Sequence, residues 1–146
     1  MRGFEIANGY NNKHVRIPKR STPGSAGYDL ETIESITIEP GAIVRAPTGL
    51  KAYMQNDEVL KLYPRSSLPV KFGVTIPNNV GIIDADYYSN PDNDGAIFVQ
   101  LFNFTDKTCY IPARTRIAQG IFVKYLTTDA DEVATNQRSG GFGSTG

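Results

Sequence analysis

The chain has 146 residues, about one domain's length. Its 15 basic and 15 acidic side chains cancel, which excludes a protein that works mainly by neutralising nucleic-acid phosphates. With 40% apolar residues, 14 Gly and 9 Pro, it can bury a core but carries too many breakers for a helical bundle.

The N-terminal stretch MRGFEIANGY has no continuous apolar segment of the signal-peptide kind, and nothing approaches the run of about 18 apolar residues that a spanning helix needs. Lys13–Arg20 is a local basic run, read as a solvated arm, and its His14 is given no catalytic role. Short strands are then predicted at Ile36-Thr37-Ile38, Gly49–Met54, Val59–Tyr63, Phe72–Ile76, Gly81–Ile83, Ala96–Phe104 and Ile117–Tyr125, several with period-two alternation and β-branched or aromatic residues. Turns are expected at Glu39-Pro40-Gly41, Ala46-Pro47-Thr48-Gly49, Ile76-Pro77-Asn78-Asn79 and Asn90–Gly95, with Asp92–Gly95 as a hairpin tip. Cys109, the single cysteine, excludes an internal disulfide framework and suits a reducing cytoplasm; beside Tyr110-Ile111 it reads as a small buried hydrophobe. The one helix candidate is Asp129–Thr135. Many short strands at close spacing point to an all-β sandwich, jelly roll or small barrel. Residues 1–126 form the β-rich core, and 127–146, polar and then Gly-rich, form an arm too poor in apolar residues to fold alone.

Five segments carry chemistry. Ser25-Ala26-Gly27-Tyr28-Asp29-Leu30 offers a carboxylate beside glycine. Tyr63-Pro64-Arg65-Ser66-Ser67-Leu68-Pro69 reads as a Pro-bounded turn with one guanidinium and two hydroxyls, a donor set for phosphate. Gly81-Ile82-Ile83-Asp84-Ala85-Asp86-Tyr87 puts Asp84 right after a strand, where a carboxylate can serve as general base on a water. Arg116-Ile117-Ala118-Gln119-Gly120 places an amide on a strand. Arg138-Ser139-Gly140-Gly141-Phe142-Gly143-Ser144-Thr145 combines backbone N–H groups, hydroxyls and a guanidinium for an anion with an aromatic for a flat ring. Each alone also reads as an ordinary turn or terminus. A calcium loop around Asp84 or Asn90 fails for want of the bidentate Glu, and zinc clusters, P-loops and G-x-S-x-G are absent.

In this order, AGYDL, PRSSL, GIIDADY, RIAQ and RSGGFGSTG resemble the five motifs of the trimeric dUTPases, with a phage or bacterial member the nearest in appearance. The resemblance implies a jelly-roll subunit, a homotrimer, and sites shared between chains, each capped by the C-terminal arm of a neighbour. It implies Mg²⁺-dependent cleavage of dUTP to dUMP and pyrophosphate, cleansing the nucleotide pool and supplying dUMP in the cytoplasm, that of a host if the chain is phage-encoded. Asp84 matches the carboxylate that activates water for attack on the α-phosphorus, and Gln119 the amide that contacts that water and phosphate. Arg65, Ser66 and Ser67 match the phosphate-binding turn, and Asp29 a carboxylate that reaches Mg²⁺ through water. Asn78 and the backbone hairpin of Gly81, Ile82 and Ile83 match the uracil reader. Tyr87 matches the aromatic that packs on deoxyribose and leaves no room for a 2′-hydroxyl, and Phe98 lines the pocket. Phe142 would stack on uracil while Arg138, Gly143, Ser144 and Thr145 clamp the terminal phosphates. Two features depart from the family pattern: Arg138 stands four residues before Phe142 instead of five, and Tyr87 is followed by a longer loop, Tyr88–Gly95.

Two rivals bear on the same residues. A dCTP deaminase, of related fold, would need an Arg near Val70 and a catalytic Glu on the strand that holds Gln100, and an amide cannot do that acid–base work. A regulatory protein on the dUTPase scaffold, binding a partner such as a repressor, would use the Tyr88–Gly95 loop. No nucleic acid or membrane partner is expected.

Overall fold

The computed structural model describes residues 1–133, 138, 140 and 141. Eleven antiparallel strands and one short helix make up its regular structure, with a single 3₁₀ turn: β1 (Gly3–Ile6), β2 (Tyr28–Glu31), β3 (Ile36–Ile38), β4 (Ile43–Pro47), β5 (Leu50–Tyr53), β6 (Glu58–Pro64), α1 (Ser67–Phe72), β7 (Val74–Thr75), β8 (Gly81–Asp84), the 3₁₀ turn Ala85–Tyr87, β9 (Phe98–Asn103), β10 (Cys109–Ile111) and β11 (Arg116–Lys124). They pair as β2-β11-β6-β8, β4-β9-β7, β1-β5 and β3-β10. The expected all-β class holds, and it is the jelly-roll kind of architecture.

Alternation along the strands builds the core. On β9 the side chains of Val99, Leu101 and Asn103 are buried while Phe98, Gln100 and Phe102 are half-buried. Leu30, Leu60, Leu62, Ile83 and Ala118 of the four-stranded sheet and Ala46, Val74, Val99 and Leu101 of the three-stranded sheet join one apolar cluster. Asn103 is fully buried yet satisfied: its amide donates to the carbonyls of Ile38 (2.9 Å) and Lys107 (2.7 Å), and its oxygen accepts from the Thr105 N–H at 2.9 Å. Such satisfaction is what makes a buried amide tolerable.

Several local expectations need correction. The helix expected at Asp129–Thr135 is not formed over 129–133, which is turn and extended chain; 134 and 135 lie outside the described residues. The helix that does form is α1, which begins inside the segment read as a Pro-bounded turn and runs three residues past it. Pro69 sits in its first turn, where the missing N–H costs no helix bond. Gly73 ends it with φ +66 and donates to the Pro69 carbonyl at 2.9 Å. Phe72 therefore belongs to α1 rather than to a strand. Asp92–Gly95 is not a hairpin tip, because β8 pairs with β6 while β9 pairs with β4 and β7. Gly81–Ile83, expected in a hairpin, pair instead with Leu62, Lys61 and Leu60 of β6. Cys109 is buried, as expected, and burial pushes its thiol pKa up.

Candidate active site

β8 lies at the edge of its sheet, in register with β6: Gly81 opposite Leu62, Ile83 opposite Leu60 and Asp84 opposite Val59. The chain reaches β8 through the turn at Ile76–Val80, in which the Asn79 N–H donates to the Ile76 carbonyl at 3.0 Å with Asn79 at φ 68. Asn78, Gly81, Ile82, Ile83, Asp84, Tyr87 and Phe98 thereby surround one cavity of about 270 Å³, close to the lower end of the range for small-molecule sites. Leu62, Ile76, Val99, Gln100, Arg138 and Gly141 complete its wall. Seven of the residues singled out in the sequence for base and sugar recognition and catalysis thus meet in one place.

Asp84 stands at the rim, half-exposed, at the end of β8. Arg138 reaches over it. Its Nη2 donates to the Asp84 carboxylate at 2.8 Å, its Nε donates to Asp86 at 2.7 Å, and its Nη1 donates to the Gly140 carbonyl at 3.2 Å. Gly141 lies directly on Tyr87: a Cβ there would stand 2.7 Å from Cε1 of the ring. The described arm residues therefore cover the pocket of their own chain. Phe142, Gly143, Ser144 and Thr145 lie outside the described residues.

Tyr87 is buried, 4% exposed, and its hydroxyl donates to the Ala96 carbonyl at 2.6 Å while accepting from the Asn93 amide at 2.9 Å. Burial pushes its pKa up, so the hydroxyl stays protonated at neutral pH. Phe98 lines the cavity from β9 with the Arg45 guanidinium 5.7 Å from its ring centre.

The remaining residues form a second cluster. Gln119 on β11 pairs in register with Asp29 on β2 and with Tyr63 on β6. Gly27 makes room for it, since a Cβ there would stand 2.5 Å from the Gln119 side-chain oxygen. Arg65 donates to Asp29, whose other oxygen accepts from the Ser21 hydroxyl at 2.9 Å and has Arg116 at 3.9 Å. Ser66 and Ser67 are exposed at the start of α1, and the Ser66 hydroxyl makes no capping bond. None of these residues lines the first cavity. β6 runs about 17 Å from Val59, opposite Asp84, to Pro64, next to Arg65.

Among the described residues no three His, Cys, Asp or Glu side chains converge as a metal cage. The acidic group beside Arg65 is Asp29, faced by a second guanidinium from Arg116. One such carboxylate could meet a divalent ion only through water, with the ion's other ligands supplied from elsewhere.

The sequence pattern did not mark Gln100 and Gly141 as parts of the cavity, nor Asp86 as the second anchor of Arg138. Asp86 and Gly141 lie inside motifs that were recognised, so their signal was there. Leu62, Ile76 and Val99 read only as core, and nothing local separates a wall residue from a core residue.

The dUTPase family model matches residues 13–146. The chain is 52% identical to the deoxyuridine 5′-triphosphate nucleotidohydrolase of Lactococcus lactis subsp. lactis, covering all of this chain and 98% of that one. The crystal structure of dUTPase from Streptococcus mutans superimposes with a TM-score of 0.83 at 49% identity, over 88% of this chain and 99% of that one. The dUTPase of phage phi11 of S. aureus shares the fold at a TM-score of 0.74 and 19% identity, over 94% and 98% of the two chains. With its family model, its full-length relatives and its architecture in agreement, the chain belongs to the dUTPase family, a family of dUTP diphosphatases.

Proposed function

We propose that this enzyme hydrolyses the Mg²⁺ complex of dUTP to dUMP and pyrophosphate, by attack of a water on the α-phosphorus with Asp84 as general base. The observation that carries the reading is Asp84 at the mouth of a cavity whose walls hold Asn78, the β8 backbone and Tyr87. Uracil enters the cavity, where Asn78 and the backbone of Gly81, Ile82 and Ile83 meet its edge. Cytosine would leave those polar groups unpaired, a stronger discriminator than shape. Deoxyribose packs on Tyr87, with Phe98 on the other wall. The sugar's 5′ end then faces Asp84, where the carboxylate takes the water's proton as the oxygen attacks.

The phosphates need Arg65, Ser66, Ser67 and Gln119, which in one chain sit at the far end of β6 from Asp84. A separation of this order exceeds what one triphosphate anchored at Asp84 spans comfortably. This supports a homotrimer in which one chain's cavity faces another chain's phosphate cluster. Bound Mg²⁺ supplies charge neutralisation on the phosphate oxygens, and Asp29 would reach it through water while holding Arg65 in place. Arg138 pairs with exposed carboxylates, contacts worth little in water, so the denser charge of a triphosphate can draw it away. Phe142 would then stack on uracil, with Gly143, Ser144 and Thr145 closing over the phosphates, from the chain's own arm or a neighbour's. The buried Cys109 suits action in a reducing cytoplasm, in nucleotide-pool cleansing and dUMP supply.

The test is product analysis with dUTP, dCTP, dTTP and UTP, each with Mg²⁺ and again with chelator. Selective, chelator-sensitive release of dUMP and pyrophosphate is expected. Conversion of dCTP to dUTP would overturn the assignment in favour of a deaminase, although Gln100 supplies no carboxylate on β9 for that reaction.

A further inference from the structure

The loop that follows Tyr87 does more than connect two sheets. Asn90, 5% exposed, anchors it: its amide donates to the Tyr87 carbonyl at 2.8 Å and to the Asn93 side-chain oxygen at 2.7 Å, and its own oxygen accepts from the N–H groups of Asp92 (3.1 Å) and Asn93 (3.2 Å). The Asn93 oxygen also accepts from the Gly95 N–H at 3.1 Å. Both partners of that oxygen are donors, which fixes the amide's orientation and leaves its NH₂ to donate to the Tyr87 hydroxyl at 2.9 Å. Gly95, at φ +84, lies so close to the Tyr87 carbonyl (2.8 Å from an added Cβ) that no other residue fits without moving the loop. Outside the cavity the loop is tied down by Asp94, which accepts from the Asn8 N–H at 2.9 Å and faces Lys51 Nζ at 2.9 Å.

We propose that Asn93 is a positioning residue for sugar selection: by holding the Tyr87 hydroxyl from behind, the Tyr88–Gly95 loop fixes the ring at the depth that admits a 2′-deoxyribose and rejects a ribose. The proposal rests on Tyr87 facing the sugar. A ring tethered at its hydroxyl by one donor and one acceptor cannot tip back to make room for an extra oxygen without breaking a buried hydrogen bond. A ring held by packing alone has no such penalty. In this chain the rejection of ribonucleotides is therefore set by the loop as well as by the aromatic.

Asn93→Asp separates these roles. The remaining oxygen keeps the bonds to Asn90 and Gly95, while the donor to Tyr87 becomes a second acceptor competing with the Ala96 carbonyl for one hydroxyl proton. The measurement is kcat/KM for dUTP and for UTP on the full chain with Mg²⁺, with melting temperature alongside. The expected result is a dUTP/UTP ratio lowered about three- to tenfold, the size of one net hydrogen bond. Tyr87→Phe should lower the ratio by a similar factor, and the double variant no further, because both act through one contact. An unchanged ratio in Asn93→Asp, with Tyr87→Phe lowering it, would overturn the role of Asn93; so would additive effects. Should Asn93→Asp not fold, Tyr87→Phe decides: an unchanged ratio overturns the tether. Tyr87→Ala is the control on the underlying reading. If it leaves the ratio unchanged, Tyr87 does not face the sugar, and both that assignment and the tether fall together.

Discussion

Arg138 occupies an oxygen of Asp84. With the guanidinium 2.8 Å from Asp84 Oδ2, a water activated by the carboxylate in the proposed reaction would have to displace it or use the other oxygen. Asp86 gives Arg138 a second anchor at 2.7 Å, so one guanidinium is shared between two carboxylates that are themselves exposed. In the proposed reaction a triphosphate would compete with these two exposed carboxylates for the arginine. Asp84→Asn keeps the side chain's size and removes its basicity. Turnover of dUTP should fall at least about a hundredfold, the range of a lost general base, while nucleotide binding is retained. Steady-state kinetics with calorimetric titration of a non-hydrolysable dUTP analogue checks both halves. Residual activity within about tenfold of the parent would place the base elsewhere.

At the scale of elements, β6 is the organising strand, pairing with β8 on one side and β11 on the other. Its first residue, Glu58, is 3% exposed and tied at both oxygens: it accepts from the Gln55 N–H at 2.9 Å and from Arg2 Nε at 2.6 Å. The Gln55 N–H, with Arg2, holds its carboxyl below the usual glutamate pKa despite the opposing effect of burial. A lowered folded-state value means a contribution to stability that is complete above the unfolded pKa of about 4.3 and lost as pH falls through the folded value. Glu58→Gln should therefore melt lower than the parent at pH 7, with the gap closing toward pH 3. Thermal melts across that range test it, and a gap independent of pH would assign the effect to packing. The elements also show what local patterning carries. Alternation located β3, β5, β6, β7, β8, β9 and β11, because half-buried strands write period two into their own residues. It missed β1, β2, β4 and β10, which are set by their pairing with β5, β11, β9 and β3, and it missed α1, where Pro69 looks like a breaker until its place in the first turn is known.

For the whole molecule the decisive feature is the distance between the cavity at Asp84 and the cluster around Arg65 and Asp29. If each site takes Asp84 from one chain and Arg65 from another, two inactive variants should complement. Co-expressed Asp84→Asn and Arg65→Ala chains, assembling at random, would form a site with both native residues with a probability of one half times one half. About a quarter of the parent's activity is expected, against near zero for either variant alone. Absence of recovery in a confirmed mixed oligomer would put both residues in one chain's site.

The sequence by itself determined the chemistry and the class. Each motif is a contiguous string whose residue types answer a local chemical need, whether a carboxylate after a strand, donors in a turn or glycines in an arm. The all-β class, too, was implied by short strands with many turns, and the resemblance to the dUTPases narrowed it to a jelly roll. Which of those motifs meet is a matter of strand pairing, and pairing is long-range. Only the tertiary structure placed Asp84 opposite Val59, and so a strand's length from Arg65. It also set Arg138 on Asp84 and Asp86, and Asn93 behind Tyr87. The Arg138 contacts span more than fifty residues of chain; the Asn93 bond is near in sequence but depends on a loop closed by its own side-chain amides. Neither leaves a periodic or compositional trace, because an asparagine in a turn looks the same whether it caps its own backbone or holds a catalytic pocket's wall.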